Sequence, residues 1–433
     1  MTNVETLGAL ERRVSMTLPV EEIERQVDER LKKLARNVRM PGFRPGKVPL
    51  KLVAQTYGSQ VRSEVLGDTV QKAFSDAVKE ANLRVAGFPR IEKKDTVDEK
   101  SLEFSATFEV YPEVKLGDVS TKTIERPSVT VSGPEVDRTI EILRKQRTRY
   151  VPVSRPARDG DKLTIDFEGT IGGVPFAQGT ANDFQFTLGE GRMLPEFDSA
   201  ARGTSVGETK NFLVKFPDDY HGKEVAGKEA EFRLTLKALE EPQLPELDAE
   251  FAKALGVADG DLAKMKSEIR ANVEREVNKR VEARVKAQAL QALLDATPLD
   301  LPKSLIELES RNLATRAAED LQARGVKLGE ARLNAASFEE TAKRRVALGL
   351  IINELARAEN LQPKPAEVRA LVEQEAQTYE SPAEVVKWFY MQPQRLSEME
   401  GLALEANVVR WVLSKAQVVD KQIAFEELMG AGA

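Results

Sequence analysis

The chain has 433 residues, enough for two to four domains, and carries 64 basic and 70 acidic side chains for a net charge of −6. It has no cysteine and one histidine, which excludes disulfides and thiolate chemistry and leaves little for a transition-metal site. We therefore expect no cofactor and no metal. The sequence has no apolar run of about eighteen residues and no signal-like N-terminus, so we expect a cytoplasmic protein with no membrane partner.

Residues 1–112 predict a compact α+β domain. Residues 14–18 alternate between apolar and polar side chains like a half-buried strand, which ends at Pro19. Residues 102–110 alternate strictly and predict a second amphipathic strand, paired with the first. The sequence Gly-Phe-Pro-Arg at 87–90 predicts a turn between them.

Two amphipathic helices are predicted on either side of a loop at Met40–Pro49. Apolar residues recur every three or four positions in 20–38 and again in 52–74, the period of a helix with one buried face. The loop contains three prolines and two glycines in ten residues, so it cannot continue either helix.

The surroundings of this loop are strongly basic. From Arg30 to Ser63 there are nine basic residues and no acidic one, and the loop itself offers Phe43, Arg44 and Lys47. A basic patch on an acidic chain indicates a docking surface for an anionic partner, with nucleic acid the leading candidate. On charge alone, a solvated turn between two helices explains the pattern equally well.

The loop sequence Gly-Phe-Arg-Pro-Gly-Lys-Val-Pro, at 42–49, resembles the ribosome-docking signature of the bacterial trigger factor family, Gly-Phe-Arg-x-Gly-Lys-x-Pro. The resemblance implies that Phe43, Arg44 and Lys47 contact the large ribosomal subunit, both protein and ribosomal RNA, near the exit tunnel. Pro45 occupies the variable position, where some relatives have a basic residue.

Residues 113–150 are interpreted as a connector. The segment 119–131 is rich in threonine, valine and isoleucine and is compatible with an extended path. Ser132–Glu135 resembles the start of a helix, with proline in the first turn, and a charged helix over 136–149 is predicted to follow.

Residues 151–244 predict a small antiparallel β domain with its own aromatic core. Short alternating runs, such as 163–167 and 231–236, are separated by turns that contain glycine, and Leu194 begins a predicted short helix. Eight of the 17 phenylalanines fall in this segment: Phe167, Phe176, Phe184, Phe186, Phe197, Phe212, Phe216 and Phe232.

This segment is similar to the FKBP-type prolyl isomerases over nearly its full length, through Asp159-Gly-Asp161, Ile165-Asp-Phe-Glu-Gly169 and the run from Gly189 to Phe197. Phe197 stands where better-known relatives have a tryptophan, and Ala177 stands where they have an aspartate. Both departures bear on the binding of macrolide inhibitors. By residue type alone, we interpret Phe212 and Phe216 as core. The resemblance implies a catalytic pocket lined by Phe167, Phe176, Phe184, Phe186, Met193, Leu194, Phe197, Tyr220 and Phe232, in which the Leu194 N–H and the Tyr220 hydroxyl bind substrate carbonyls.

Residues 245–433 are predicted to be almost wholly helical. Breaks at proline and glycine divide them into six helices, of which the first runs to about Ala296 and the last, after Pro393, to about Gln417. The helices form either one bundle or extended arms, and the mixing of charged with apolar positions favours arms with partly exposed apolar faces. The trigger factor resemblance continues here in length and helix order, which implies binding of nascent and unfolded polypeptides.

The expected fold is therefore multidomain α+β: a ribosome-docking α+β domain, a connector, an FKBP-like β domain and an all-α region with helical arms. The leading hypothesis is a ribosome-associated chaperone with prolyl isomerase activity that needs no nucleotide, because the sequence lacks a phosphate loop of the Gly-x-x-x-x-Gly-Lys-Ser/Thr type. The alternatives are a free isomerase whose flanking domains set specificity, and a nucleic-acid-binding protein with an accessory isomerase. The sequence leaves open whether the free protein forms a homodimer.

Overall fold

The computed structural model of the chain describes residues 3–41, 43, 47–94, 100–218, 225–326 and 333–430. By the density of contacts along the backbone the chain forms two compact units, the first from residues 1–126 and 283–421, the second from 127–282 and 422–433. No helix in these described ranges is both long enough and apolar enough to span a membrane.

The elements follow one another in three groups. The N-terminal group is β1 (Asn3–Thr6), β2 (Glu11–Pro19), α1 (Val20–Asn37), α2 (Leu50–Glu80), β3 (Val85–Lys93) and β4 (Ser101–Val110). The middle group is β5 (Thr123–Ser128), α3 (Gly133–Gln146), β6 (Arg149–Pro152), β7 (Lys162–Ile171), β8 (Val174–Thr187), α4 (Pro195–Ala201), β9 (Thr209–Lys215) and β10 (Glu229–Gln243). The C-terminal group is α5 (Ala249–Ala254), α6 (Leu262–Ala296), α7 (Lys303–Ala323), a 3₁₀ turn (Ala335–Phe338), α8 (Glu339–Ala358), α9 (Pro365–Ala376), α10 (Pro382–Met391), α11 (Pro393–Lys415), β11 (Gln417–Gln422) and α12 (Phe425–Met429).

The N-terminal sheet has the antiparallel order β1-β2-β4-β3 and packs against α1 and α2. The predicted pairing of the two amphipathic strands is confirmed, with Val14 opposite Ala106 and Met16 opposite Phe104. Since side chains alternate between the faces of a strand, this register places the apolar residues of both strands on one side. They form a common core with the apolar faces of the two helices.

The predicted turn at 87–90 is wrong, because β3 runs through it. The pairing of β3 with β4 shifts register between Ala86 and Arg90, which marks a bulge rather than a chain reversal. Gly87 has a φ of +76°, a conformation that glycine adopts without strain, so the extra residues are absorbed while the strand continues. The bulge leaves Phe88 92% exposed.

Within the first unit, α7 begins directly on the N-terminal sheet. The Glu109 carboxylate of β4 accepts the backbone N–H groups of Lys303 and Ser304 at 3.0 and 2.7 Å, and the Ser304 hydroxyl donates to the Ala86 carbonyl at 3.0 Å. A carboxylate at this position satisfies N–H groups that lack partners inside the helix and stabilises its positive end. A Cβ on Gly87 would lie 2.5 Å from the Ser304 Cβ, so the close approach of Ser304 to β3 requires glycine at position 87.

The connector contains more regular structure than the sequence indicated. β5 pairs with β11, a strand that the sequence did not predict in its helical C-terminal region. The predicted helix start is confirmed as a capping box between Ser132 and Glu135, but α3 ends at Gln146 rather than Arg149. The reason is that Arg149 already pairs with Gln243 of β10, and so belongs to the next sheet.

The second unit also contains a small helical core. It joins α3, α5, α12 and the part of α6 before Ala283, through buried side chains such as Ile140, Phe251, Met265 and Phe425. The short helices α5 and α12 were not predicted, because five or six residues carry too little periodicity to read.

Candidate functional sites: an aromatic cluster and a basic loop

The aromatic residues of the β domain are organised by its long central strand, β10. The sheet order is β6-β10-β7-β8, with β9 also paired to β10. β10 and β7 point alternate side chains inward, so that Phe167 lies opposite Leu234 and Phe232 lies opposite Gly169. The predicted alternating runs of this domain are therefore confirmed as neighbouring strands.

Phe167, Phe197 and Phe232 form the centre of one aromatic cluster. The ring centroid of Phe167 lies 5.5 Å from that of Phe197 and 6.0 Å from that of Phe232, and Phe197 and Phe232 are 4.8 Å apart. The edge-to-face angles between Phe197 and its neighbours are those that aromatic quadrupoles favour. All three rings are buried.

Glycine makes room for the Phe176 ring. Opposite Gly169, strand β8 carries extra residues, since the pairing steps from Glu168–Thr180 to Thr170–Pro175. A Cβ on Gly169 would lie 2.6 Å from Phe232 and 2.9 Å from Phe176, and a Cβ on Gly179 would lie 2.9 Å from Phe176. Only with glycine at both positions does the Phe176 ring reach Phe232, at a centroid distance of 6.0 Å.

The remaining predicted pocket residues lie around this centre. The Phe184 ring, 38% exposed, meets the Phe167 ring edge-on at 5.8 Å, while Phe186 is buried behind it at 6.3 Å. Met193 and Leu194 are half-buried against the same core, at the start of α4, where the Leu194 carbonyl accepts the N–H of Phe197 at 2.9 Å. Tyr220 lies outside the described residues.

Phe212 and Phe216, which residue type alone assigned to the core, are continuous with this cluster. The Phe212 ring lies 4.9 Å from Phe197 and stacks on Phe232 at 6.0 Å, and the Phe216 ring lies 6.2 Å from Phe176. Phe216 is buried and Phe212 is half-buried. The sequence did not reveal this continuity, because both residues come from β9 and its end, and β9 reaches the cluster through its pairing with β10 and its packing against α4.

The described members of the cluster have phenylalanine, methionine and leucine side chains, and none of these can transfer a proton or attack a bond at neutral pH. Two charged residues of the domain, Asp161 and Asp198, are buried. Asp161, 1% exposed, accepts both arms of the Arg155 guanidinium at 2.6 and 2.9 Å and the Arg158 N–H at 2.8 Å. Burial raises the pKa of Asp161, but these hydrogen bonds outweigh it and hold the pKa below its ordinary value.

The basic loop is described only in part. Phe43 is 41% exposed, and its N–H donates to the Met40 carbonyl at 3.1 Å; Lys47 is exposed, and Val48 is buried in the N-terminal core. Arg44 lies outside the described residues. Phe43 and Lys47 are thus accessible to a partner, while Val48 fixes one end of the loop.

The stretch Arg30–Ser63 contains no acidic residue, but two of its arginines pair with carboxylates from outside it. Arg30 pairs with Asp68 at 2.7 Å and with Glu64 at 3.6 Å, and Arg62 pairs with Glu24. These carboxylates lie outside Arg30–Ser63 in the sequence but reach it because α1 and α2 pack against each other. The two ends of the basic stretch, at Arg30 and Arg62, are therefore partly neutralised.

The helical part of the first unit exposes apolar and aromatic side chains. On α10, Trp388 and Tyr390 are 40% and 46% exposed and Met391 is 79% exposed, with the Arg395 guanidinium 3.9 Å above the Trp388 ring. Beside them, a groove of about 550 Å³ is lined by residues that include Pro363, Tyr390, Leu396 and Leu404. A second groove, of about 760 Å³, lies along α7 and α8. The expectation of partly exposed apolar faces agrees with these surfaces.

Comparison with known proteins identifies the class of the β domain. The profile described as "FKBP-type peptidyl-prolyl cis-trans isomerase" matches residues 153–237. The chain therefore carries an FKBP-type isomerase domain, and the aromatic cluster lies within it.

The regions on either side match the profiles "Bacterial trigger factor protein (TF)", at residues 1–143, and "Bacterial trigger factor protein (TF) C-terminus", at residues 261–414. Proteins described as "Trigger factor" are similar over their whole length: 54% identity over 432 residues, 100% of both chains, in Aromatoleum aromaticum, and 53% identity over 98% of this chain and 97% of that one in Azoarcus sp. strain BH72. The chain belongs to the trigger factor family of chaperones.

This assignment confirms the predicted family, the multidomain α+β fold class and the isomerase domain. A solved structure described as "Promiscuous Substrate Recognition in Folding and Assembly Activities of the Trigger Factor Chaperone" aligns over 95% of this chain and 99% of its own, with 18% identity and a TM-score of 0.46. At that level of similarity the alignment adds nothing to the assignment.

Proposed function

We propose that this chaperone works in the cytoplasm at the ribosome, where it binds nascent polypeptides and rotates their X-Pro bonds without using a nucleotide. In this proposal residues 1–112 dock on the ribosome, 151–244 isomerise, 245–433 bind the polypeptide, and 113–150 connect the first two. The observation that carries the proposal is the combination, in one chain of the trigger factor family, of an accessible Phe43 and Lys47 on a basic loop with a buried aromatic cluster.

The aromatic cluster suits a reaction that needs no acid, base or nucleophile. Rotation about an X-Pro bond faces a barrier of about 18–20 kcal/mol, because the amide loses its resonance on the way. The twisted amide is less polar than the planar one, so a dry aromatic surface stabilises the transition state more than the ground state. Phe167, Phe197 and Phe232 form such a surface, and Phe184 lies at its rim.

Two polar groups are proposed to orient the substrate. The N–H of Leu194, at the start of α4, binds one substrate carbonyl, and the hydroxyl of Tyr220 binds another. Both would hold the peptide in a turn-like geometry in which the prolyl bond can twist. Phe176, Phe186 and Met193 complete the lining of the proposed site.

The isomerase proposal is tested with Phe197→Ala in the full-length chain. Phe197 contacts three other rings of the cluster, so its loss should lower kcat/KM for a short X-Pro peptide by tenfold or more, which corresponds to about 1.4 kcal/mol or more of transition-state stabilisation. Leu213→Ala, at an exposed position on β9, is the control and should keep wild-type activity. Wild-type kcat/KM in folded Phe197→Ala would show that the cluster is not the site.

Chaperone action is proposed to be independent of this pocket. The exposed side chains of α10 and the two grooves of the helical region offer more apolar surface than a pocket whose central rings are buried. Phe197→Ala should therefore still suppress aggregation of an unfolded protein. Loss of that suppression in a folded variant would contradict this part of the proposal.

Ribosome docking is proposed to use Phe43, Arg44 and Lys47, with a large-subunit protein and ribosomal RNA near the exit tunnel as the partners. Arginine and lysine contribute an attraction to phosphate that weakens with salt, while Phe43 contributes apolar contact that does not. The expected binding is therefore specific for assembled ribosomes and partly sensitive to salt.

Co-sedimentation with ribosomes tests this docking. The variant Phe43→Ala/Arg44→Ala/Lys47→Ala should stay in the supernatant, while the wild type pellets. The matched control is Phe88→Ala/Arg90→Ala/Lys93→Ala, which removes one exposed aromatic and two exposed basic side chains from β3 of the same domain.

Each outcome of that experiment separates the alternatives. Loss of binding in the loop variant alone supports docking through the loop, and equal pelleting of all three proteins places the dock elsewhere. If the wild type does not pellet, the chain acts as a free isomerase. Equal affinity for naked RNA and for ribosomes favours a general nucleic-acid-binding protein.

A further inference from the structure

Three charged residues meet on the outer face of the isomerase sheet, behind the aromatic cluster. The Asp183 N–H donates to Asp166 Oδ1 at 2.7 Å. The Lys237 ammonium donates to Asp183 Oδ1 and lies 3.6 Å from Asp166 Oδ2. Asp166, Asp183 and Lys237 come from β7, β8 and β10, so one charge cluster, here called the clamp, joins three neighbouring strands.

The clamp lies at a break in the register on both sides of β7. Between the pairs Ile165–Phe184 and Phe167–Ala181, β8 has one more residue than β7. Between the pairs Leu236–Ile165 and Ala238–Thr164, β10 has one more residue than β7, and that residue is Lys237. The first bulge therefore lies opposite Asp166 and presents Asp183, and the second lies opposite the step from Thr164 to Ile165 and presents Lys237.

The bulge in β8 needs support from outside the strand ladder. Asp183 has a φ of +54°, a left-handed backbone conformation that residues other than glycine rarely adopt. A bulge also leaves a backbone group without its hydrogen-bond partner in the strand ladder. The Asp166 carboxylate accepts the Asp183 N–H, and Lys237 lies between two carboxylates that would otherwise repel each other. The hydrogen bond to Asp183 raises the pKa of Lys237 above its ordinary value.

The residue after this bulge is Phe184, the rim of the aromatic cluster. Its ring is 38% exposed and touches only part of the cluster, through Phe167 at 5.8 Å and Phe186 at 6.3 Å. A bulge sets the direction of the side chains that follow it. The orientation of the Phe184 ring therefore depends on the geometry that the clamp maintains on the opposite face.

We propose that Asp166, Asp183 and Lys237 are positioning residues of the isomerase, which hold Phe184 in the orientation that binds the side chains flanking the substrate proline. The inference rests on the proposed assignment of the aromatic cluster as the isomerase site. The clamp itself does not touch the substrate. Its loss allows the rim ring to adopt several orientations, so substrate binding weakens while the buried centre still stabilises the twisted amide.

The test uses the full-length chain and a tetrapeptide with one Leu-Pro bond, whose isomerisation is followed by exchange NMR over a range of peptide concentrations. Lys237→Met and Asp183→Asn should each raise KM about three- to tenfold and leave kcat within about twofold. Lys237→Arg keeps the charge and should stay within about twofold of wild type in both constants. Lys215→Met, which removes an exposed lysine from β9 of the same domain, is the matched control and should change neither.

A second readout separates positioning from stability. With phenylalanine labelled, the Phe184 ring resonances should shift or broaden in Lys237→Met and stay in place in Lys215→Met. A lower melting temperature with an unchanged KM in Lys237→Met and Asp183→Asn would overturn the inference, because the clamp would then support only the fold. If Lys237→Met does not fold, Asp183→Asn decides, since asparagine also tolerates the left-handed conformation.

Phe197→Ala, measured alongside, separates a failure of the clamp inference from a failure of the site assignment. If it abolishes activity and the clamp variants keep a wild-type KM, the clamp inference fails and the site assignment stands. If Phe197→Ala keeps wild-type activity, the site assignment fails, and the clamp inference fails with it.

Discussion

Replacing Gly169 by alanine tests how the aromatic cluster is packed. Gly169 is buried opposite Phe232, and an added Cβ would lie 2.6 and 2.8 Å from two Phe232 ring carbons and 2.9 Å from one of Phe176. Carbon atoms in contact normally lie about 3.5–4.0 Å apart, so the two rings must move by about 1 Å. Because both rings are packed against others, the expected cost to the domain is about 1–3 kcal/mol.

The assay is hydrogen exchange of the full-length chain, read by mass spectrometry on peptides from β7 and β10. Tryptophan fluorescence does not report on this domain, because Trp388 lies in α10 and Trp411 lies in α11. A loss of about 1–3 kcal/mol should speed exchange of these peptides by about 5- to 150-fold. The kcat/KM for a prolyl peptide should fall as well, since Phe176 and Phe232 belong to the proposed site.

The control is a glycine-to-alanine substitution at a position where the added Cβ would contact no other atom. A Cβ on Gly349, within α8, meets nothing within 4 Å, so Gly349→Ala should stabilise the helix by about 0.5–1 kcal/mol. Wild-type exchange and activity in Gly169→Ala would refute the reasoning, because the two rings would then have room that the contacts deny.

Three further outcomes are expected. Asp161→Asn leaves the Arg155 guanidinium without its buried carboxylate, and because Arg155 is itself partly exposed we expect a loss of about 2–3 kcal/mol on denaturant unfolding; a loss under about 0.5 kcal/mol would contradict this. Since the pKa of Asp161 lies below its ordinary value of 3.8, its contribution is complete above that pH and disappears as the pH falls through the lowered pKa; the wild type and Asp161→Asn should then converge on acid titration. Glu109→Ala removes the acceptor of the Lys303 and Ser304 N–H groups, so the first turn of α7 should lose about 1 kcal/mol of protection from exchange, and unchanged protection would argue against the contact.

The sequence predicted the regular elements well where a repeat of apolar residues persists over many residues. The helices α1 and α2 carry such a repeat and strands β2 and β4 alternate cleanly, so local pattern was sufficient for them, while breaks at proline and glycine marked the helices from α6 to α11. The docking signature and the FKBP-like motifs are also local, which is why the family could be recognised from short runs of residues.

The errors occurred where distant residues override local preference. Gly-Phe-Pro-Arg at 87–90 has the composition of a turn, but pairing with β4 and the approach of Ser304 to Gly87 keep the strand continuous. β11 was assigned to a helical region, because its strand conformation depends on pairing with β5, which lies far away in the sequence.

The sequence by itself determined the family, the order of the main elements and the residue types of both candidate sites, because each of these depends on neighbours along the chain. Only the tertiary structure decided that Phe212 and Phe216 join the aromatic cluster, that Glu24, Glu64 and Asp68 neutralise part of the basic stretch, and that Asp166, Asp183 and Lys237 meet. These contacts are set by strand register, bulges and helix packing. A register is fixed by the summed burial of whole strands, and no short segment of the sequence contains that information.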